Sequence, residues 1–174
     1  MTFTEVRTDP LTRISNRRAL DETLAAMFGA LDRYSQQFSI AIFDIDFFKQ
    51  INDKRGHLYG DQMLQEVARV IDDSVRDTDI AARYGGEEFV VVMPHTPLAG
   101  AVSFSERVRS AIAEALEVTV SGGVATAISG DNPQSLLSRA DAALYSAKAA
   151  GRNRVYQHDG AAIDPGVLPE PVHV

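Results

Sequence analysis

The sequence predicts an α/β (α+β) fold in which helices flank a mixed central sheet, and three observations carry that expectation. Apolar residues recur at helical spacing in four segments, short β-branched runs fall between them, and two of those runs are joined by a Gly-Gly turn that reads as a hairpin. With 174 residues, 45 % hydrophobic and 24 % charged, the chain has enough apolar material for one sizeable core.

Each element has its own signal. Asn16 is placed to cap a helix over 17–34, whose Leu20, Leu24, Met27, Phe28 and Leu31 share one face. "FSIAIFDID" (38–46) is a buried strand that ends on two aspartates. A helix over about 61–75 presents Met63, Leu64, Val67, Val70 and Ile71. "DIAARY" and "EFVVVMP" flank Gly85-Gly86, where two residues free to take positive φ suit a hairpin turn. Thr96-Pro97 offers an N-cap and a first-turn proline for a helix over 97–116, with Leu98, Val102, Val108 and Ile112 inward. "VTVSGGVAT" is the fourth strand. Asn132-Pro133 repeats the cap pattern before a helix carrying Leu136, Leu137, Ala140 and Leu144, which Gly151 can end. "RVY" makes a short last strand. Residues 1–8 are a lead-in, 9–158 the domain, and 159–174, rich in Pro, Gly and Ala without a period, a flexible tail.

Composition narrows the chemistry. The absence of cysteine excludes disulfides, thiolate catalysis and zinc-thiolate sites. A formal charge of −7 argues against broad nucleic-acid or anionic-membrane binding. No apolar run approaches the roughly 20 residues a spanning helix needs, and the N-terminus lacks a signal peptide's apolar core, so a cytoplasmic location without membrane insertion is expected. A phosphate ligand would have to rely on local Lys or Arg, backbone N–H groups or a metal ion.

Asp44 follows Ile40 and Ile42 on one strand face, which makes it a carboxylate at the rim of a core and in need of a partner. Glu87 and Glu88 are adjacent, so in regular strand geometry at most one shares that face. Either pair alone also reads as turn chemistry. Together they make a hard-oxygen site of the kind that suits Mg²⁺ carrying substrate phosphates. The paired glycines leave the hairpin tip bare, so a phosphate or ribose can approach the backbone.

"DPLTRISNRR" (9–18), "DIDFFKQINDKRGHLYGD" (44–61), "GGEEF" (85–89), "SGGVA" (121–125) and "RADAALYSAKAAGRNRV" (139–155) follow the order of motifs in GGDEF domains, and the chain resembles that family from Asp9 to Val155. The resemblance implies a palm-like fold similar to nucleotidyl cyclase and polymerase palm domains. It also implies a diguanylate cyclase that condenses two GTP into cyclic di-GMP with release of pyrophosphate, as a homodimer with one GTP per domain. Asp44, the backbone carbonyl of Ile45, Glu87 and, as a further candidate, Glu88 would hold Mg²⁺ (or Mn²⁺), two ions per half-site, with Glu87 as the candidate base. The backbone amides near Phe47 and Phe48, with Lys49, Lys148 and Arg152, would hold the β- and γ-phosphates. Asn52 and Asp61 would read guanine, with His57 between them in the same motif. An ionised Asp61 accepts from the guanine N1–H and N2–H₂ edge, whereas adenine offers no matching donor pair, so GTP is expected over ATP. Arg76-x-x-Asp79 stands at the family's spacing for a product-inhibition site where cyclic di-GMP binds.

Each residue also has a plainer reading. Asp61 could cap a helix, Lys148 and Arg152 could complement a helix C-terminus, Asn52 could serve a turn, His57 could be a loop residue, and Arg76 could pair with Asp79. At the level of the domain, a non-catalytic receptor for GTP or cyclic di-GMP, a module that binds no nucleotide, and a cyclase making another cyclic dinucleotide are the alternatives. The chain departs from the family pattern at Arg13, where glycine is usual, and at Gly122, where a branched apolar residue is usual. The family pattern also implies a sensory or dimerising domain elsewhere in the full-length protein.

Overall fold

A computed structural model describes residues 6–34 and 36–166. The helices are α1 (Arg17–Tyr34), α2 (Phe48–Arg55), α3 (His57–Ser74), α4 (Leu98–Ala115) and α5 (Pro133–Ala149). The strands are β1 (Phe38–Ile45), β2 (Ile80–Arg83), β3 (Glu88–Pro94), β4 (Val120–Thr126), β5 (Val155–His158) and β6 (Ile163–Pro165). They form one sheet in the order β2-β3-β1-β4-β5-β6, antiparallel except for the parallel β4–β5 pair. This is the mixed sheet with flanking helices that the sequence predicts.

β1 is central because both faces of its sequence can be covered. Ala41, Phe43 and Ile45 join the core under α3 and α4, whereas Ile40 and Ile42 join a second core under α1 and α5. All eight residues of β1 are buried. Alternation therefore puts Asp44 on the α1/α5 face. No helix among the described residues is long and apolar enough to cross a membrane.

Caps hold where a side chain reaches an orphan amide. Asn16 Oδ1 accepts from Ala19 N (3.0 Å) at the start of α1, and Asn132 Oδ1 accepts from Ser135 N (2.8 Å) in a capping box. Thr96 departs from expectation: Pro97 is the N-cap of α4, and the Thr96 hydroxyl turns back to Pro94 O at 3.0 Å. Three boundaries also move. α3 begins at His57, four residues before the predicted start, and α2 is an additional helix with no buried residue, so it carries no apolar period to read. The ordered sheet runs past residue 158, because Asp159 Oδ1 accepts from Ala161 N and Ala162 N and turns the chain back to pair β6 with β5. The predicted tail is thus ordered through Gly166, and residues 167–174 lie outside the described residues.

The two departures from the family pattern are absorbed locally. Arg13 takes φ 67°, the left-handed conformation a glycine would hold more cheaply, within a turn fixed by Arg13 N to Asp9 O (2.9 Å) and Thr12 N to Asp9 Oδ2 (2.9 Å). A Cβ on Gly122 would stand 3.3 Å from the Phe43 ring and from Val155, so those larger side chains fill the volume a branched residue would use.

Candidate functional site

The site forms where β1 ends. The ladder sets Asp44 directly opposite Glu88 on β3, so Glu88 is the glutamate that shares its face, while Glu87 reaches the same strand end from the hairpin turn. The Ile45 N–H bonds to Glu87 O at 3.2 Å, which ties the two carboxylate-bearing segments together. The turn does not use positive φ at Gly85 or Gly86. It is closed instead by Tyr84 N to Glu88 O (2.8 Å) and by Arg83 Nη2 to Gly86 O (2.9 Å), and Gly86 faces open space. A concavity of about 750 Å³ opens beside Glu88 between α1 and α5, lined in part by Arg17, Tyr84 and Asp141.

Electrostatically the site is short of positive charge. Asp44 is 5 % exposed and its Oδ2 is 2.8 Å from Lys148 Nζ. Burial nevertheless raises its pKa above the ordinary value, with Asp46 and Asp141 adding to the rise and Lys148 opposing it. Glu87 is raised by burial and then by Asp44; Glu88 is raised by burial, then by Asp44 and Asp141. The folded chain therefore holds these protons more tightly than the unfolded chain. Below the ordinary carboxylate range both states are protonated and no penalty exists; as pH rises from the ordinary values through the raised ones, the fold loses stability. Glu88→Gln should accordingly raise Tm at neutral pH, and the gain should vanish where the carboxylates are protonated in both states. A gain in Tm that is equal at acid and neutral pH would contradict the repulsion.

Among the described residues no three acidic or imidazole side chains are already gathered as a ready-made metal cage. A metal carried in with phosphates needs only one or two carboxylates and a carbonyl from the protein. Asp44, Ile45, Glu87 and Glu88 fit that role.

Of the residues predicted for nucleotide binding, Lys148 bonds to Asp44 at this strand end, and Phe47 leaves it with Arg152 against its ring. Phe47, with φ 58°, turns the chain from β1 into α2, whose first turn contains Phe48 and the exposed Lys49. The Arg152 guanidinium lies 4.7 Å from the centroid of the Phe47 ring. Asn52 Oδ1 is buried without a hydrogen-bond partner in the protein and rests on Gly60, where a Cβ would stand 1.8 Å from it. Asp61 follows Gly60, exposed and one turn inside α3, so it does not cap that helix; Gly56 does. His57 is the first residue of α3 and is exposed. Gly60→Ala should therefore push the Asn52 amide aside. Where Asn52 reads guanine, as the resemblance implies, GTP affinity is expected to fall about fivefold, the equivalent of one hydrogen bond, with the melting temperature unchanged or higher because alanine favours the helix. A lower Tm with unchanged GTP affinity, by calorimetry and melting, would refute this.

Arg76 and Asp79 lie apart from this group. They form one turn, with Arg76 N donating to Asp79 Oδ2 (2.9 Å) and Asp79 N to Arg76 O (3.0 Å), so the contact is through the backbone of Arg76. Asp79 is 8 % exposed, its Oδ1 has no partner in the protein, and Arg76 is exposed.

Three residues of the site escaped sequence reading. Asp141 approaches from α5, Gly60 makes room for Asn52, and Asp46 anchors the base of the site through Thr119 and Ser121. None had a local signal, Gly60 included, because the predicted helix began one residue after it.

Comparison with known proteins follows the same lines. The sequence profile of the family described as "Diguanylate cyclase, GGDEF domain" matches residues 6–154. The response regulator PleD of Caulobacter vibrioides is 45 % identical over 159 residues, which is 85 % of this chain and 35 % of PleD. The diguanylate cyclase DgcP of Pseudomonas aeruginosa is 42 % identical over 156 residues, 85 % of this chain and 23 % of DgcP. The chain thus spans well under half the length of these relatives. Among solved structures, the GGDEF domain of DgcB from Caulobacter crescentus, in complex with c-di-GMP, matches with TM-score 0.85 and 35 % identity over 90 % of this chain and 96 % of that one. The active GGEEF domain of a diguanylate cyclase from Vibrio cholerae matches with TM-score 0.79 and 35 % identity over 84 % of this chain and 98 % of that one.

Proposed function

Because the chain belongs to the GGDEF-domain family of diguanylate cyclases, we propose that it condenses two molecules of GTP into cyclic di-GMP, each copy of a homodimer holding one GTP. The 3′-oxygen of each nucleotide attacks the α-phosphorus of the other, and two pyrophosphates leave. The observation that carries this reading is the crowding of Asp44, Glu87 and Glu88 at one strand end, with Lys148 bonded to Asp44, in a site whose raised pKa values call for more positive charge.

Asp44, the Ile45 carbonyl, Glu87 and Glu88 would hold Mg²⁺ or Mn²⁺, two ions per half-site. When bound, the metal supplies the charge that lets a triphosphate sit beside carboxylates, and it acidifies the attacking hydroxyl. Lys148 and Arg152, at the end of α5 and just past it, and Lys49 in α2 take the β- and γ-phosphates with the amides near Phe47 and Phe48. Asn52 and Asp61 accept from the guanine edge, and His57 lines the same end of α3. Glu87 takes the proton of the 3′-hydroxyl; burial and Asp44 make it a stronger base than an ordinary carboxylate.

The catalytic domain in this reading spans residues 9–158. It works in the cytoplasm, and a sensory or dimerising segment of the full-length protein brings two half-sites together. Binding is tested by melting the protein with Mg²⁺ and either GTP or ATP. A rise in Tm with GTP well above that with ATP is expected. Equal shifts would remove the role of Asn52 and Asp61, and no shift with either would remove the nucleotide site.

A second ligand site is supported by the unpartnered Asp79 Oδ1 beside the exposed Arg76. We infer that cyclic di-GMP binds there and inhibits turnover, the arginine donating to guanine O6 and N7. Arg76→Ala should weaken product inhibition about tenfold or more while initial rates stay the same. Inhibition by added cyclic di-GMP at wild-type concentrations would dismiss the site.

A further inference from the structure

α5 ends in a turn whose conformation needs an explanation. Gly151, Arg152 and Asn153 take φ 127°, 64° and 48° in succession, so two consecutive residues with full side chains sit in the left-handed region. Such residues are strained and persist only where their surroundings over-determine them. The helix end fixes the first half of the turn, through Arg152 N to Ala147 O at 3.0 Å.

The second half is held by the dipeptide that leaves β1. Asn153 N donates to Asp46 Oδ2 at 3.0 Å, and the Arg152 guanidinium lies over the Phe47 ring at 4.7 Å. Phe47 is itself left-handed, with φ 58°, and its side chain makes no cap for α2. Phe47 is 54 % exposed, so it contributes little to the core. Asp46 is 3 % exposed, and its carboxylate also accepts from Thr119 Oγ1 (2.7 Å) and Ser121 Oγ (2.6 Å) on and beside β4. No cation is bonded to it among these contacts. Three left-handed residues are thus joined at one corner, with a buried carboxylate under the backbone of one dipeptide and an aromatic face under the guanidinium.

We propose that Asp46 and Phe47 are positioning residues, which clamp the Arg152–Asn153 turn so that the Arg152 guanidinium is preset for the terminal phosphates of the nucleotide. The proposal rests on the reading that Arg152 meets those phosphates. Asp46 fixes the backbone of the turn, and Phe47 restricts the side chain to the arc that faces the strand end. A freely rotating arginine would lose more conformational entropy on binding, and a cation–π contact at an exposed position is worth a few-fold in an equilibrium.

The test uses the whole chain, Mg²⁺, and 3′-deoxyguanosine triphosphate, which can bind but cannot condense, with GMP as a ligand that lacks the terminal phosphates. Phe47→Ala should weaken the triphosphate about three- to fivefold and leave GMP unchanged. Phe47→Tyr should restore wild-type affinity, and in an Arg152→Ala background the Phe47→Ala change should have no further effect. Because Phe47 is exposed, the variant folds, which makes it a safer probe than Asp46→Asn with its loss of buried acceptors. Unchanged triphosphate affinity in Phe47→Ala, or an equal loss for GMP, overturns the clamp while leaving the nucleotide site intact. A wild-type protein that binds neither ligand overturns the underlying reading, and the clamp with it.

Discussion

Glu87→Gln should lower cyclic di-GMP formation by about two to four orders of magnitude, the range associated with losing a positioned general base, with the fold retained. The side chain is half-buried at the turn before β3, and burial and Asp44 both raise its pKa. Glutamine keeps the shape and one oxygen but cannot take a proton, and it contributes no charge to a cation. It also removes a repulsion from Asp44, so the variant should melt at or above the wild-type temperature at neutral pH. Turnover and melting measured on the same preparation therefore move in opposite directions. Retention of more than about a tenth of wild-type turnover would mean that Glu87 is neither base nor ligand, since either role is worth more than that.

The largest loss of stability is expected at Gly123, within β4. A Cβ there would stand 2.1 Å from Ala140 O, 2.4 Å from Leu144 N and 2.9 Å from Leu144 Cα, all atoms of the α5 backbone. A flexible side chain could move aside, but a helix backbone moves only if α5 lifts from the sheet. α5 carries Lys148 and leads into Arg152, so the same displacement would separate both cations from Asp44. Gly123→Ala should cost more than about 3 kcal/mol, or roughly 6–12 °C in Tm for a domain of this size, and any folded protein should bind GTP more weakly. The neighbouring Gly122→Ala meets only side-chain atoms at 3.3 Å and should cost much less. Equal Tm values for the two variants would show that α5 does not rest on the Gly123 backbone.

These two positions illustrate what could be read from the chain itself. Periodicity found α1, α4 and α5, and apolar runs bounded by turn residues found every strand of the β2-β3-β1-β4-β5 part of the sheet, where β1 and β4 bury both faces. It missed α2, in which only Phe48 and Ile51 pack partly against the core, and it began α3 too late because its first turn offers only the half-buried Tyr59 and a glycine. The tail looked featureless for a similar reason: β6 is three exposed residues at the sheet edge, held by backbone pairing and the Asp159 turn.

Alternation correctly limited the glutamate sharing Asp44's face to one, and the register shows that it is Glu88. The hairpin glycines were expected to supply positive φ; instead Gly86 leaves open space and Gly85 lies against the Glu88 side chain. What no local pattern could supply is long-range complementarity. Asp46 finds its donors 73 and 107 residues away, at Thr119 and Asn153, and Gly123 matters because of a helix that begins at Pro133. Aspartates either side of Ile45 at a strand end look alike in sequence. Only their partners separate Asp44, bonded to Lys148 and opposite Glu88, from Asp46, held by two hydroxyls and the Asn153 N–H.

Two copies of this domain, each holding GTP at the Asp44–Glu87 strand end, are expected to make cyclic di-GMP together. The most direct test incubates the chain with GTP and Mg²⁺ across a wide range of protein concentration and separates the nucleotides by chromatography, with Glu87→Gln alongside. Cyclic di-GMP that rises more steeply than linearly with protein, and is absent from the variant, is the predicted result. GTP that binds yet is returned unchanged at every concentration would contradict the claim and leave a receptor for the nucleotide in its place.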